Sequence, residues 1–481
     1  MLTFLTGYYS TLQALYLDKT LPTEIRYLAI IQLKNGIDKY WRKTATNAIK
    51  PVEKGDIRTR LLEGGLQEAD GRLALQNALL VAKVVRIDYP IEWPDVITTL
   101  ITILRAANDS DQTALRRGLQ ILFQVVKELA TAKLRRSQTS LQAMTAELVF
   151  LLNDIYTRKI TMWTEFLGGN GDDEGGAMDA MENSLAALKI MRRLIIVGYE
   201  HPNHDKRVQE IWSSSNVFLS QLISLLNAEP PVLISPAREL VEKHVLHLSK
   251  LHIHMATEHP AAFALLPNSL SLVQSYWGLV SMYGDTYGSM TTDFSAKVSN
   301  QGDKPKNEKS TMEKLSLNGL LLLRACVKMV FNKTLSFKYN SKEAKEERNQ
   351  AMQFIRSQLF TNELVLEMAN LILTKFFVFR QVDLEAWEED EDEWEIREEG
   401  GGDAWEYDIR PCAEKLFMDL VLNFKLVLVD QLLAVFHSAA GLNQTSLVAK
   451  DSIYTAMGLS APVVFQSKHL LLPNLLQTRQ S

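Results

Sequence analysis

The sequence predicts an all-α chain, a right-handed α-solenoid of HEAT-like antiparallel helix pairs in an ARM/HEAT superhelix. Three observations predict it. Apolar residues recur at helical spacing almost throughout. No run of alternating residues is bounded by hairpin turns. Helix pairs punctuated by proline recur at roughly 40-residue intervals, the spacing of HEAT-type hairpins. A chain of 481 residues would by length alone suggest about three globular domains. A helix pair cannot bury both of its faces alone, however, so stacking has to supply the core and one continuous solenoid is expected.

The N-terminal stretch MLTFLTGYYSTLQALYLDKTLP is apolar but has neither a basic leader nor a small-residue cleavage site, so it reads as a mature helix. Leu21–Pro22 closes it and opens the next helix, whose apolar stripe is Ile30, Leu33, Ile37 and Trp41. Trp41 and Trp93 read as core. Pro51 starts a third helix. In GRLALQNALLVAKVVRID, Leu73, Leu80, Val84 and Ile87 form one stripe, and Ala74, Ala78, Val81 and Val85 form a second about 100° around. Two stripes imply neighbours on more than one side. Pro90 and Pro94 bracket the next helix start, and Leu115, Leu119, Leu122, Val126 and Leu129 share one face of the helix after that. Three interruptions follow: a glycine-acid loop at 167–176, a polar stretch at 292–311, and an acidic stretch from Asp383. Insertions of this kind emerge as loops on one face of a solenoid.

Composition narrows the class. With 46% apolar and 23% charged residues the chain is an ordinary folded protein. A net charge of −5 supplies no global basic field for nucleic acid, so no direct nucleic-acid contact is expected. Cys326 and Cys412 form no C-x-x-C pair, which leaves no cysteine zinc site or disulfide framework and points to a reducing compartment. No stretch approaches the roughly 20 apolar residues of a membrane span, so no membrane insertion is expected.

The acidic stretch is the strongest local signal. Asp383–Asp408 holds fourteen Asp or Glu and one basic residue, Arg397. Carboxylates this dense repel one another, so the segment is expected to extend and stay solvated unless a cationic partner relieves the repulsion. Trp387, Trp394 and Trp405 can pin it down or offer their faces to Arg and Lys.

Enzymatic and metal chemistry find no support. The segment EKHVLHLSKLHIHMATEHP holds five of the nine histidines, but no cysteine or spaced carboxylate completes a zinc set. They read as helix-surface histidines. GGNG is followed by acids instead of Lys and Ser/Thr, so it does not cradle phosphate. No nucleophile elbow or Cys–His pairing is present, and no catalytic, cofactor-binding or metal-binding residue is assigned.

LPTEIRYLAIIQLKNGIDKYWR followed by YPIEWPDVITTL resembles the N-terminal repeats of the karyopherin-β (importin-β) superfamily of transport receptors. LEAWEED together with GGDAWEYDIRPCAE is similar to its importin-11 (karyopherin-120) branch, and the likeness runs from about Gly7 to Gln466. The resemblance implies a shuttling nuclear import receptor: Ran in its GTP form on the N-terminal repeats, basic protein cargo, Phe-Gly nucleoporins on the outer face, no cofactor, and a monomer moving between nucleus and cytoplasm through the nuclear envelope. The Ran-binding helices carried over are Gly7–Leu17, Val52–Leu66 and Glu92–Ala106.

The resemblance sets the boundaries as well. Residues 1–106 are Ran-binding-type repeats, the first lacking its outer helix; 107–382 are HEAT-like repeats; 383–403 are an acidic insertion; 404–466 are further repeats; and 467–481 are atypical. Receptors of this family continue to about twice this length, so the chain is expected to be a fragment or the product of an incomplete gene model. Candidate partner-binding residues are Asp383, Glu385, Trp387, Glu388, Glu389, Asp390, Glu391, Asp392, Glu393, Trp394 and Glu395 in the acidic stretch. In the N-terminal repeats they are Arg26, Lys34, Lys39 and Arg42. A static HEAT scaffold without GTPase control, or an exportin of the same superfamily, are the alternatives.

Overall fold

The structure, a computed structural model, describes residues 7–131, 135–170, 173–228, 233, 235–289, 309–332, 341–398, 404–441 and 447–477. These contain twenty α-helices and no strand. Packing divides the chain into two compact units, Met1–Leu248 and Ser249–Ser481.

Unit 1 holds α1 (Tyr8–Leu17), α2 (Thr23–Tyr40), α3 (Pro51–Leu66), α4 (Gly71–Asp88), α5 (Val96–Ser110), α6 (Gln112–Ala130), α7 (Arg135–Glu165), α8 (Glu174–Gly198) and α9 (Lys206–Leu226). It also takes in the first half of α10 (Ala237–Glu258). The pairs α1–α2, α3–α4, α5–α6 and α7–α8 each pack together, and α2, α4, α6 and α8 pack in succession as one layer. Both stripes of α4 are consequently buried, except that Ile87, at the end of the helix, is 37% exposed. The stripe of α6 is buried throughout, and Trp41 and Trp93 are core.

The termini of these helices are satisfied by side chains that the sequence places but does not pair. Asp70, Asp111, Asp173 and Asp205 accept from backbone N–H groups at the starts of α4, α6, α8 and α9. At the other ends, buried cations donate to terminal carbonyls. Arg26 Nε donates to Tyr16 O at 2.8 Å, Arg117 Nε to Glu68 O at 2.9 Å, and Lys159 Nζ to Asn108 O at 2.9 Å. Cations there complement the helix dipole and satisfy carbonyls that no N–H can reach.

Glu53 of α3 caps α1 from outside that helix. Its carboxylate accepts from the backbone N–H groups of Gly7, Tyr9 and Ser10 at 3.2, 2.9 and 3.1 Å. Gly7, at φ 88°, takes the left-handed turn that directs these groups toward it. Glu53→Ala is expected to weaken the docking of α1 by about 2 kcal/mol. Faster amide exchange confined to residues 8–17 checks this.

Unit 2 holds α11 (Pro260–Leu265), α12 (Ser269–Ser289), α13 (Thr311–Phe331), α14 (Lys342–Gln358), α15 (Asn362–Leu371), α16 (Gln381–Glu389), α17 (Glu391–Glu398), α18 (Ile409–Asn423), α19 (Lys425–Gly441) and α20 (Leu447–Gln477). Within it α12 packs on α13, α13 on α18, and α18 on both α19 and α20. Cys326 and Cys412 are buried here as free thiols, and burial pushes both up to about 12.

Three expectations change. The glycine-acid segment is shorter as a loop than its composition implies: a π-helical turn extends α7 through Phe166–Asn170, and Asp173 already caps α8. Residues 171–172 lie outside the described residues, as do 290–308 of the polar stretch. The histidines of α10 are not all surface groups, because His244 and His252 are fully buried. Helical spacing alone could not show that both sides of α10 are covered.

Candidate partner-binding surfaces

In unit 1, α1, α3 and α5 coincide closely with the three helices that the resemblance assigns to Ran. Of the four cations chosen around them, Arg26 is corrected. It is 7% exposed and forms an ion pair with Glu68, while its Nε holds the Tyr16 carbonyl. A guanidinium occupied on both edges inside the stack is a structural part rather than a contact. Lys34 is half-buried and donates to Gln76 Oε1 at 2.6 Å. Lys39 and Arg42 are exposed, with the Lys39 ammonium 5.3 Å from the Tyr40 ring centroid.

Sequence reasoning missed a cationic recess where the α2–α3 and α4–α5 connections meet. It encloses about 590 Å3, and Lys43, Lys50, Lys54, Arg58 and Arg86 line it with only Asp88 and Glu92 opposing. Asp88 ties the recess together, accepting from Trp41 Nε1 at 3.0 Å and Arg58 Nη1 at 2.7 Å. Lys54 lies 5.5 Å from the Trp41 ring centroid, and burial lowers its pKa. No local motif marks this recess, since its cations come from three separate segments.

In unit 2 the acidic stretch is helical where an extended loop was expected. Glutamate is a good helix former, and carboxylates in a first turn meet the positive end of the dipole. Asp390 caps α17 by accepting from Glu393 N at 2.8 Å, and Glu391, Asp392 and Glu393 occupy that first turn. Asp383 departs from the solvated set. It is 7% exposed and bound by Arg380 through Nε at 3.0 Å and Nη2 at 2.9 Å.

The other eight carboxylates of the candidate set, Glu385, Glu388, Glu389, Asp390, Glu391, Asp392, Glu393 and Glu395, are exposed, and no basic residue falls between Gln381 and Ile396. The tryptophans divide by role. Trp394 packs edge-on against Phe379 at 5.7 Å, and Trp405 receives Arg324 at 4.1 Å and Lys328 at 5.1 Å. These two hold the segment to unit 2, whereas Trp387 is 46% exposed.

Comparison with known proteins gives the arrangement its relatives. Residues 3–67 match the importin-beta N-terminal domain. The chain is 31% identical over 465 residues to importin beta-like protein KAP120 of Saccharomyces cerevisiae, covering 95% of this chain and 42% of that protein. It is 28% identical over 492 residues to human importin-11, covering 98% and 45%. The solved structure of Lph2, described as a novel bidirectional nuclear transport receptor in S. cerevisiae, superposes with a TM-score of 0.79 at 29% identity, over 96% of this chain and 43% of that one. The chain thus spans less than half the length of the relatives it matches. It opens with an importin-β N-terminal domain and is similar along nearly all of its length to the importin-β-like proteins importin-11 and KAP120.

Proposed function

We propose that the protein is an import receptor that binds Ran in its GTP form through α1, α3 and α5 and carries basic protein cargo against α16 and α17. Phe-Gly nucleoporins would be its contacts in the pore, and it would shuttle between nucleus and cytoplasm. The observation that carries the cargo reading is the run of eight exposed carboxylates with no cation among them. Such a surface attracts a basic partner over a Debye length of about 8 Å at physiological salt. If Ran·GTP and cargo favour different arrangements of the helices, each lowers affinity for the other, and the antagonism is reciprocal by linkage. Any GTP hydrolysis belongs to Ran.

The test is a pull-down of Ran loaded with GTP or GDP, with and without a basic cargo. Ran·GTP should be retained in preference to Ran·GDP and should displace the cargo. Converting Glu388, Glu389, Glu391 and Glu393 to Gln, and Asp390 and Asp392 to Asn, should weaken cargo binding about tenfold or more at low salt, with less effect at high salt. Asn at 390 still caps α17, so the helix survives the change. Unchanged affinity at low salt defeats the cargo reading, and equal capture of both nucleotide forms defeats the Ran reading. The description of Lph2 as bidirectional favours a second reading, transport in both directions. Ran·GTP would then strengthen the binding of a second class of cargo.

A further inference from the structure

Within unit 1, α4, α6, α8 and α10 border a cavity of about 450 Å3 that the proposed transport function does not use. Arg116, Arg117, Lys189, Arg192 and Arg193 line it against one carboxylate, Glu182. Two of these cations are accounted for. Arg116 pairs with Glu182 at 3.0 Å and Asp179 at 3.5 Å. Arg117 is spent on the carbonyls of Glu68 and Ala69.

Arg192 and Arg193 differ. Arg192 is only 8% exposed, yet its Nε has no hydrogen-bond partner among the described residues. The Nε of each is buried without a hydrogen-bond partner among the described residues, and the Arg193 guanidinium lies over the Phe123 ring at 5.3 Å. A buried guanidinium N–H normally finds an acceptor, because leaving it unmet costs the full desolvation of the group. Burial, and next the neighbouring Arg193, draw Arg192 down to about 10, which still leaves it charged at neutral pH.

We propose that Arg192 and Arg193 hold a phosphoryl oxyanion in this cavity, borne by a phosphorylated side chain of a partner polypeptide or by free phosphate. Two adjacent guanidinium forks match the planar, multidentate geometry of phosphate oxygens. A phosphate monoester carries close to two negative charges at pH 7, which balances both guanidinium groups, whereas one carboxylate balances one. The apolar walls from Leu119 and Phe123 fit residues flanking such a group. The site is independent of the transport reading and can fail or stand without it.

Isothermal titration on the whole chain tests it with four probes: a pentapeptide carrying one phosphoserine between leucines, its serine counterpart, its glutamate counterpart, and inorganic phosphate. The phosphopeptide should bind and the serine peptide should not. Arg192→Gln and Arg193→Gln should each weaken binding about tenfold, the scale of a lost charge-assisted pair. In the unliganded chain, Arg192→Met should raise the Tm, since removing an uncompensated buried cation relieves the fold. A structural arginine would lower it instead. If Arg192 variants fail to fold, half-buried Arg193 carries the test alone. Inorganic phosphate binding as tightly as the phosphopeptide keeps the site and assigns it to the free ion. Absence of binding by both phosphate probes, equal affinity for the glutamate peptide, or affinity unchanged in the variants overturns the proposal.

Discussion

Glu68→Ala will destabilise unit 1 by about 3–5 kcal/mol, the range for leaving a buried ion without its partner. Glu68 is 3% exposed and stands where three helix pairs meet. Its carboxylate pairs with Arg26 of α2 and accepts from Asp70 N at 3.0 Å. Its carbonyl takes Arg117 of α6, while Arg26 also holds the end of α1. Loss of the carboxylate strands the Arg26 guanidinium inside the stack. Amide exchange should therefore accelerate first across α1, α2 and the start of α4. The double variant Glu68→Leu with Arg26→Met should recover much of the loss, because no buried charge remains. A double variant as unstable as the single would show that packing, not charge, sets the effect.

Acid should destabilise the protein as pH falls from about 6.5 toward 5, above the range in which ordinary carboxylates titrate. His244 is buried against Tyr156 and Trp163 and bonded to Ser184 Oγ at 3.0 Å and Leu240 O at 2.8 Å. Burial lowers its pKa from 6.5 to about 4. His252, beside the Tyr276 hydroxyl at 3.0 Å, is lowered to about 3 by burial. Both are neutral in the folded chain where the unfolded chain is protonated. The unfolded state thus binds more protons below pH 6.5, and stability falls as pH falls toward the folded values. By pH 4.5 each histidine removes roughly 2–3 kcal/mol. Carboxylates held low by hydrogen bonds, such as Asp70 at the start of α4, begin to lose their contribution only below about pH 5, so the fall above that pH reports the histidines. His244→Gln should flatten the fall of Tm between pH 7 and 4.5, and an unaltered slope would remove His244 from the account.

Much of the fold was legible because helical periodicity is local. The stripes of α4 and α6 depend on spacing within single segments, and each is buried as the pattern requires. The capping acids Asp70 and Asp111 emerge only in the structure, although each bonds within three residues of its own position. The acidic stretch was legible as charge and not as conformation. Repulsion argued for an extended chain, whereas the Asp390 cap, the Asp383–Arg380 pair and the Trp394–Phe379 contact secure two helices.

By itself, then, the sequence determined the helical class, the helix starts at Pro22 and Pro51, the burial of Trp41 and Trp93, and the concentration of carboxylates after Asp383. Only tertiary structure decided which cations are exposed and which are internal. Arg26, Arg117 and Arg192 look alike in sequence, yet the first closes an ion pair, the second caps a helix end, and the third lines a cavity with its Nε unmet among the described residues. The physical reason is range. Helix propensity and capping act over a few residues, whereas the partner of a buried charge is fixed by which helices stack, here across 42 residues for Arg26 and Glu68.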